Sequence, residues 1–464
     1  MRALMVQGTS SWAGKSLIAT ALCRHFARQG VRVAPFKAQN MSNNARVVEG
    51  GEIGVAQYLQ ALAARAEPDV RMNPVLIKPE GLTQSQVILR GTVDARIGAL
   101  PWRDRAPHLW PAAADSLASL LEDFELVVLE GAGSPAEINL ADIDLANLAA
   151  ARAADAAVLL VTDIDRGGAF AHLYGTWALM GEADRARVAG FVLNKFRGDA
   201  ALLAPAPERL TELTGMPMLG LVPWLHHGLP DEDGAAQPAP AAPGLPKVSV
   251  VRYPTASNLD ELKLLEQVAA VRWVSTPAEL EDADLIVLPG SKQVTDDLAW
   301  LHEQGIDRAI QAQAQRGTSI VGVCGGLQML GEHLGDGGRP GLGLLSLRTT
   351  FAQAKLTRRV ETRFKDAQRG PWSPLAGMEV HGYEIRHGET EATGAVKEAL
   401  PQERGWSKDS VLGVTIHGLF ENPDLLSALL GRRPEKSLDD TLEELTDGVM
   451  AGLDCARIER IAMG

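Results

Sequence analysis

Near the start of the chain, the apolar run Ala3–Gln7 meets GTSSWAGKS, Gly8 to Ser16, and then a segment with Leu17, Ile18, Ala21, Leu22 and Phe26 on one helical face, closed by Gly30. A buried strand, a glycine-rich turn and an amphipathic helix in that order leave few folds open. Consecutive backbone N–H groups of such a turn, with the N-terminus of the helix it opens, form a cradle for phosphate. Gly8, Thr9 and Gly14 are expected to line it. Lys15 is expected to reach the β- and γ-phosphates of ATP, and the Ser16 hydroxyl to ligate magnesium.

The same rhythm continues through Val31–Phe36, Leu126–Glu130, Ala157–Thr162, Val188–Asn194 and Leu219–Val222. These runs are apolar throughout, as parallel strands buried on both faces are. Alternation with helical stretches predicts an α/β doubly wound domain over residues 1–230. Asp231 to Pro246, DEDGAAQPAPAAPGLP, reads as a linker. Val248–Arg252, Leu285–Pro289, Ser319–Val323 and Val411–Ile416 then predict a second α/β domain over 247–433, followed by a tail, 434–464, with a helical pattern from Leu438 to Met450.

Ligands bind beyond the carboxyl ends of strands in such sheets. Glu130, in EGAGS, ends a strand and is expected to be the second protein ligand of magnesium beside Ser16. Asn194 and Lys195, in NKFRGD, end another: Asn194 is expected to read the adenine edge, and Lys195 and Arg197 to face phosphate or substrate carboxylates. PFKAQNMSNN (35–44), GEIGVAQ (51–57), MNPVLIKP (72–79) and DIDRGGAF (163–170) read as polar loops. Their Lys37, Asn40, Glu52, Lys78, Asp163 and Arg166 are expected to line a site for metal, phosphate and an acidic acceptor.

A second signature lies far downstream, in IVGVCGGLQMLG, Ile320 to Gly331. Cys324 stands between a strand and a helix predicted over Leu327–Leu334, with Gly325 and Gly326 behind it. This parallels the serine elbow of hydrolases and is expected to expose the side chain at a helix N-terminus, which favours thiolate. A free thiol titrates near ~8.5, so a base partner is still required. His417, in TIHGLF at a strand end, is the candidate. His381 and His387, in HGYEIRHG, are competitors whose segment reads as a substrate or structural loop. The Gly325 N–H and an N–H from LPGSK, Leu288 to Lys292, are expected to hold the oxyanion. The group that would orient His417 is unassigned, with Glu421 a guess. Cys23 and Cys455 read as inert core residues.

The net charge of −13 argues against nucleic acid, which is bound by neutralising phosphates. No apolar run approaches the ~20 residues that cross a bilayer. MRALMVQGTS runs straight into the phosphate loop, so no leader is expected. Three widely separated cysteines point to a reducing compartment, the cytoplasm, and to neither a disulfide framework nor a zinc site. The oligomeric state is not legible.

Five residues separate Gly8 from Gly14 where the usual phosphate loop has four, a spacing that resembles dethiobiotin synthetase and its relatives. QGTSSWAGKS, PFKAQNMSNN, MNPVLIKP, EGAGSPAEINL, DIDRGGAFAHL, NKFRGD, LPGSK, GVCGGLQMLG, HGYEIRHG and HGLF, in this order, resemble the cobyric acid synthase family, glutamine-dependent amidating enzymes of the cobalamin pathway. The resemblance implies an N-terminal P-loop, dethiobiotin-synthetase-like domain and a C-terminal class I (triad-type) glutamine amidotransferase α/β domain. It implies amidation of the b, d, e and g carboxylates of adenosylcobyrinic acid a,c-diamide, with glutamine as nitrogen donor, ATP and magnesium. It makes Cys324 the nucleophile and His417 the catalytic histidine. Trp12 and Leu327 stand where that pattern has an acidic or small polar residue and a tyrosine. Two alternatives stay open: a cobyrinic acid a,c-diamide synthase, against which PFKAQNMSNN speaks, and a P-loop ATPase switch carrying an inactive glutaminase-like domain, against which the cysteine elbow speaks.

Overall fold

In the computed structural model, which describes residues 2–80, 84–230, 242–335 and 337–464, the apolar runs of the first half become one parallel six-stranded sheet. Its order is Met218–Pro223, Val188–Phe196, Ala157–Asp163, Ala3–Gly8, Leu126–Glu130, Val33–Phe36. Ala3–Gly8 is central, and successive strands are added to either side of it, so the topological switch lies where the phosphate loop begins. Period-2 alternation divides its side chains between two cores. Leu4 and Val6 pack with the helix Lys15–Arg28, while Ala3 and Met5 pack with the helix Ala106–Asp123.

The C-terminal residues complete the first of these cores. The helix Leu438–Met450 opens with a capping box from Ser437 and Asp440 and, with the helix Cys455–Met463, returns to cover the first sheet. Arg24, fully buried, donates to Asp439 at 2.6 Å and to Glu443 at 2.8 Å. Cys23 is buried in that core, but Cys455 is only half-buried, because it opens the last helix at the surface. The linker reading falls mostly on residues 231–241, outside the described residues.

The second sheet has seven strands, ordered Ala270–Val274, Lys247–Val251, Leu285–Leu288, Ser319–Val323, Val411–Val414, Gly405–Lys408, Lys397–Leu400. The first five are parallel and the last two antiparallel. Ala270–Val274 gave no sequence signal because it is an edge strand, half-buried and interrupted by Arg272.

Three segments read as polar loops are ordered elements. Gln39–Met41 and Val75–Pro79 pair in a four-stranded sheet, Ala45–Val48 and Gly51–Gly54 form a hairpin, and Val55–Ala63 is a helix. Their polar groups are buried against one another: Asn40 donates to Gln57 at 3.1 Å, and Asn73 accepts from the Gly54 N–H at 3.0 Å. HGYEIRHG is likewise not a loop. It lies within the strand Glu379–Ala392, paired antiparallel with Leu347–Arg363 in a long hairpin that reaches the first half. There Ile385 packs against Ala45, Leu76 and Ile88, and Lys355 pairs with the buried Glu52. The helix after Cys324 starts earlier and ends sooner than expected, Gly325–Leu330, because His333–Leu334 joins that hairpin as a short strand. Among the described residues no helix is long and apolar enough to cross a membrane.

Candidate active site at the junction of the two halves

The phosphate loop is held in shape by its own backbone. Gly14 has φ 97°, and a Cβ there would lie 1.9 Å from Asn194 Nδ2, so only glycine fits. Thr9 anchors the loop to the neighbouring strand, its N–H donating to Val161 O at 2.9 Å and its hydroxyl to Thr162 Oγ1 at 2.9 Å. Lys15 Nζ donates to the carbonyls of Ser10 (2.9 Å) and Gly133 (3.0 Å), which arches it over the loop. Ser16 Oγ donates to Glu130 Oε1 at 2.8 Å, and Lys37 donates to the same oxygen at 2.8 Å. Gln60 holds Glu130 Oε2 at 2.5 Å. Asn194 donates to Ala13 O at 2.9 Å, while its buried Oδ1 has no hydrogen-bond partner among the described residues.

The second centre is assembled from three segments. Cys324 takes φ 50°, ψ −103°, a conformation that costs roughly 1–3 kcal/mol and is imposed by the strand before it and the helix after it. Gly325 presses against the LPGSK turn: a Cβ on it would sit 2.6 Å from the Ser291 amide nitrogen, which brings the expected oxyanion donors together. The thiol is 7% exposed rather than displayed at the surface, because the strand Glu379–Ala392 crosses above it and Ile385 O lies 3.6 Å from Sγ. On one side His417 lies within electrostatic reach of Cys324. On the other, Nδ1 lies 2.8 Å from Glu261 Oε1, and Glu261 Oε2 accepts from the Gly418 N–H at 2.6 Å. Tyr383 stacks on the imidazole, centroids 5.3 Å apart. Burial pulls the His417 imidazolium down, but Cys324 and Glu261 outweigh it and raise its pKa from 6.5 to about 10.

One cavity of about 830 Å³ joins the two halves. Lys15, Ser16, Lys37, Glu130 and Asn194 line one end, and Tyr253, Ala256 and Leu259 line the other. Leu259 is two residues from Glu261, and the Tyr253 hydroxyl donates to Pro289 O at the root of the LPGSK turn. The cavity that holds the nucleotide-shaped cradle thus extends to residues adjoining the segments that carry the thiol centre.

Residues 4–228 match the family model described as CobQ/CobB/MinD/ParA nucleotide binding domain, and residues 247–425 the CobB/CobQ-like glutamine amidotransferase domain. A cobyric acid synthase of Variovorax paradoxus is 55% identical, with 97% of this chain and 99% of that one covered. That of Paracidovorax citrulli is 55% identical over 98% of each chain. The chain belongs to the cobyric acid synthase family. A further member, from a Polaromonas species, is 51% identical, with 97% of this chain and 95% of the other covered. Membership brings a P-loop NTPase-like N-terminal domain, a glutamine amidotransferase domain and a glutamine-hydrolysing ligase activity.

Set in a cobyric acid synthase, the residues singled out by sequence divide into three groups. Gly8, Thr9, Gly14, Lys15, Ser16, Glu130 and Asn194 surround one cradle, and Cys324 and His417 meet in the other centre. Lys195 lines the same cavity, its Nζ donating to Trp12 O and Asp163, while Arg197 stacks 3.8 Å over Trp224. Arg166 also joins Asp163, at 3.5 Å. Glu52 and Lys78 pair with each other at 2.5 Å, under the long hairpin. His381 is largely exposed, and His387 stands apart from the thiol centre beside Lys355 and Lys292. Trp12 is exposed on the loop surface and Leu327 is buried behind Cys324. The guess for the orienting carboxylate is corrected: Glu421 is drawn off by Arg46, and Glu261 does the orienting. NLDE, Asn258 to Glu261, carried no signal, because one acidic residue in an amphipathic stretch looks like any solvated helix face.

Proposed function

We propose that this chain makes cobyric acid by ATP- and glutamine-dependent amidation of the b, d, e and g carboxylates of adenosylcobyrinic acid a,c-diamide. The observation that carries the reading is the Cys324–His417–Glu261 relay standing beside the cavity that holds the phosphate loop.

The Cys324 thiolate attacks the side-chain carbonyl carbon of glutamine, and the Gly325 and Ser291 N–H groups receive the oxyanion. His417, as imidazolium, gives its proton to the leaving nitrogen, and ammonia departs from a γ-glutamyl thioester. His417 then takes a proton from water as the oxygen attacks the thioester carbonyl; collapse breaks the C–S bond, releases glutamate and returns Cys324 as thiolate beside the imidazolium. Glu261 holds the imidazole by Nδ1, leaving Nε2 for this exchange.

In the cavity of the phosphate loop the acceptor carboxylate attacks the γ-phosphorus of ATP, giving an acyl phosphate and ADP. Lys15 offsets the charge on the transferring phosphoryl group. Asn194 Oδ1, buried and unpartnered, fits a nucleobase amino group. Ser16 and Glu130 supply hard oxygens for magnesium, which when bound neutralises phosphate charge. Among the described residues no group of three or more His, Cys, Asp or Glu side chains is placed to hold a metal, so such an ion takes its other oxygens from phosphate and water. Ammonia attacks the acyl carbon and phosphate leaves. A route along Tyr253, Ala256 and Leu259 keeps it unprotonated by bulk water. Lys195 borders this cavity and holds the loop at Trp12 O, while Glu52 and Lys78 brace the contact with the long hairpin.

Mass spectrometry of the product formed from adenosylcobyrinic acid a,c-diamide, ATP and glutamine tests the reading. A gain of four amide groups is expected. No amidation of the a,c-diamide, with amidation of cobyrinic acid in its place, would assign the chain to the a,c-diamide synthase reaction.

A further inference from the structure

Arg46 belongs to the hairpin Ala45–Val48/Gly51–Gly54 of the phosphate-loop half, yet its guanidinium lies in the flank of the thiol centre. It is 5% exposed. It donates to Asp260, the residue before Glu261, and to both carboxylate oxygens of Glu421, Nη1 to Oε2 at 2.7 Å. Glu421 ends the turn Leu419–Glu421, whose N-cap, Gly418, donates its N–H to Glu261. The same guanidinium sits 5.2 Å from the ring centroid of Tyr383, the residue stacked on His417. Two neighbours add to this grip. Asn44 Oδ1 accepts from the Leu259 N–H at 3.3 Å, and Ala45 O accepts from Asn258 Nδ2 at 2.8 Å.

The segment that carries Glu261 needs such a grip. Leu259–Gln267 is a nine-residue 3-10 helix entered through Asn258 at φ 56°. Runs of that helix longer than three or four residues are uncommon because its hydrogen bonds are poorly aligned. Its own backbone therefore fixes Glu261 weakly, and contacts from outside decide where the carboxylate points. A forked guanidinium between two carboxylates is rigid and directional, and Asp260, wholly buried, has it as its ionic partner.

We propose that Arg46 is a positioning residue for glutamine hydrolysis: it fixes Asp260 and Glu421 so that Glu261 meets His417, which makes the glutaminase centre depend on its seat against the phosphate-loop half. The inference rests on the glutaminase reading of Cys324, His417 and Glu261. Arg46 lines no part of the phosphate-loop cavity, so the ligase chemistry does not need it.

The test is Arg46→Ala and Arg46→Lys in the full chain, with glutamate release and ammonia-driven amidation measured side by side. In Arg46→Ala, kcat for glutamate release falls about tenfold or more, KM for glutamine stays within about threefold, and ammonia-driven amidation stays within about twofold. Arg46→Lys, which keeps the charge but loses the fork, recovers part of that kcat. If Arg46→Ala fails to fold, Arg46→Lys decides alone, by showing a smaller fall confined to glutaminase kcat. Unchanged glutamate release, or a parallel fall of both activities, overturns the inference. An unmodified enzyme that releases no glutamate would overturn the glutaminase reading itself, a result separate from either.

Discussion

Between Gly8 and Ser16 a run of consecutive residues builds most of a phosphate cradle, and the remaining pieces, Glu130 and Asn194, sit at the ends of strands in the same sheet. The thiol centre follows the opposite plan. Cys324, His417 and Glu261 come from an elbow, a strand end and a 3-10 helix, with Glu261 and His417 separated by 156 positions. The cradle works by backbone geometry, which a short sequence dictates. The relay works by side-chain partnership, which only packing can arrange, and part of that packing is contributed by the other half of the molecule through Arg46.

This contrast breaks most decisively at Cys324. Cys324→Ser should lower glutamine-driven amidation by about 10⁶-fold, as loss of a nucleophile does, while ammonia-driven amidation persists. Equal loss of both would show that the two centres are not separable. Glu261→Gln should cost about 10⁴-fold in glutamate release by analogy with other orienting carboxylates, again sparing ammonia-driven amidation. A loss below tenfold would return Cys324 and His417 to a two-residue arrangement. Lys15→Ala probes the other plan: about 10³-fold loss is expected with either nitrogen source, measured as ADP formation in the presence of acceptor.

The smallest effect concerns pH. With the His417 pKa raised to about 10, the imidazolium that supports the thiolate persists well above neutrality. The His417 ring protons, followed by NMR, should therefore report a protonated imidazole between about pH 7 and 9, where an imidazole at its ordinary pKa near ~6.5 is neutral; deprotonation below about pH 8 would break the pairing with Glu261. In Glu261→Gln that titration should move to lower pH, because one of the groups that raise it is removed. The same raised pKa makes a stabilising contribution that is full below pH 6.5 and lost as pH rises through about 10.

Legibility followed the same division. The sheet strands were readable because burial on both faces leaves uninterrupted apolar runs, and Leu126–Glu130 and Ser319–Val323 begin and end where those runs do. The segments around Asn40, Glu52 and Lys78 looked like loops because their polar residues satisfy one another inside an interface, a pairing that leaves no period in the sequence. His381 and His387 competed with His417 until the fold placed them on the strand that crosses above the thiol and gave His417 its hydrogen bond with Glu261.

By itself the sequence determined what depends on neighbouring residues: the glycine turn that receives phosphate, the bend that carries the thiol, and the parallel strands beneath them. Tertiary structure alone decided which carboxylate faces His417, how deeply Cys324 is covered, and that the C-terminal helices close the core of the first sheet. The physical reason is range. A backbone conformation is selected by the few side chains around it, whereas a hydrogen bond between groups more than a hundred residues apart exists only once two folded surfaces meet.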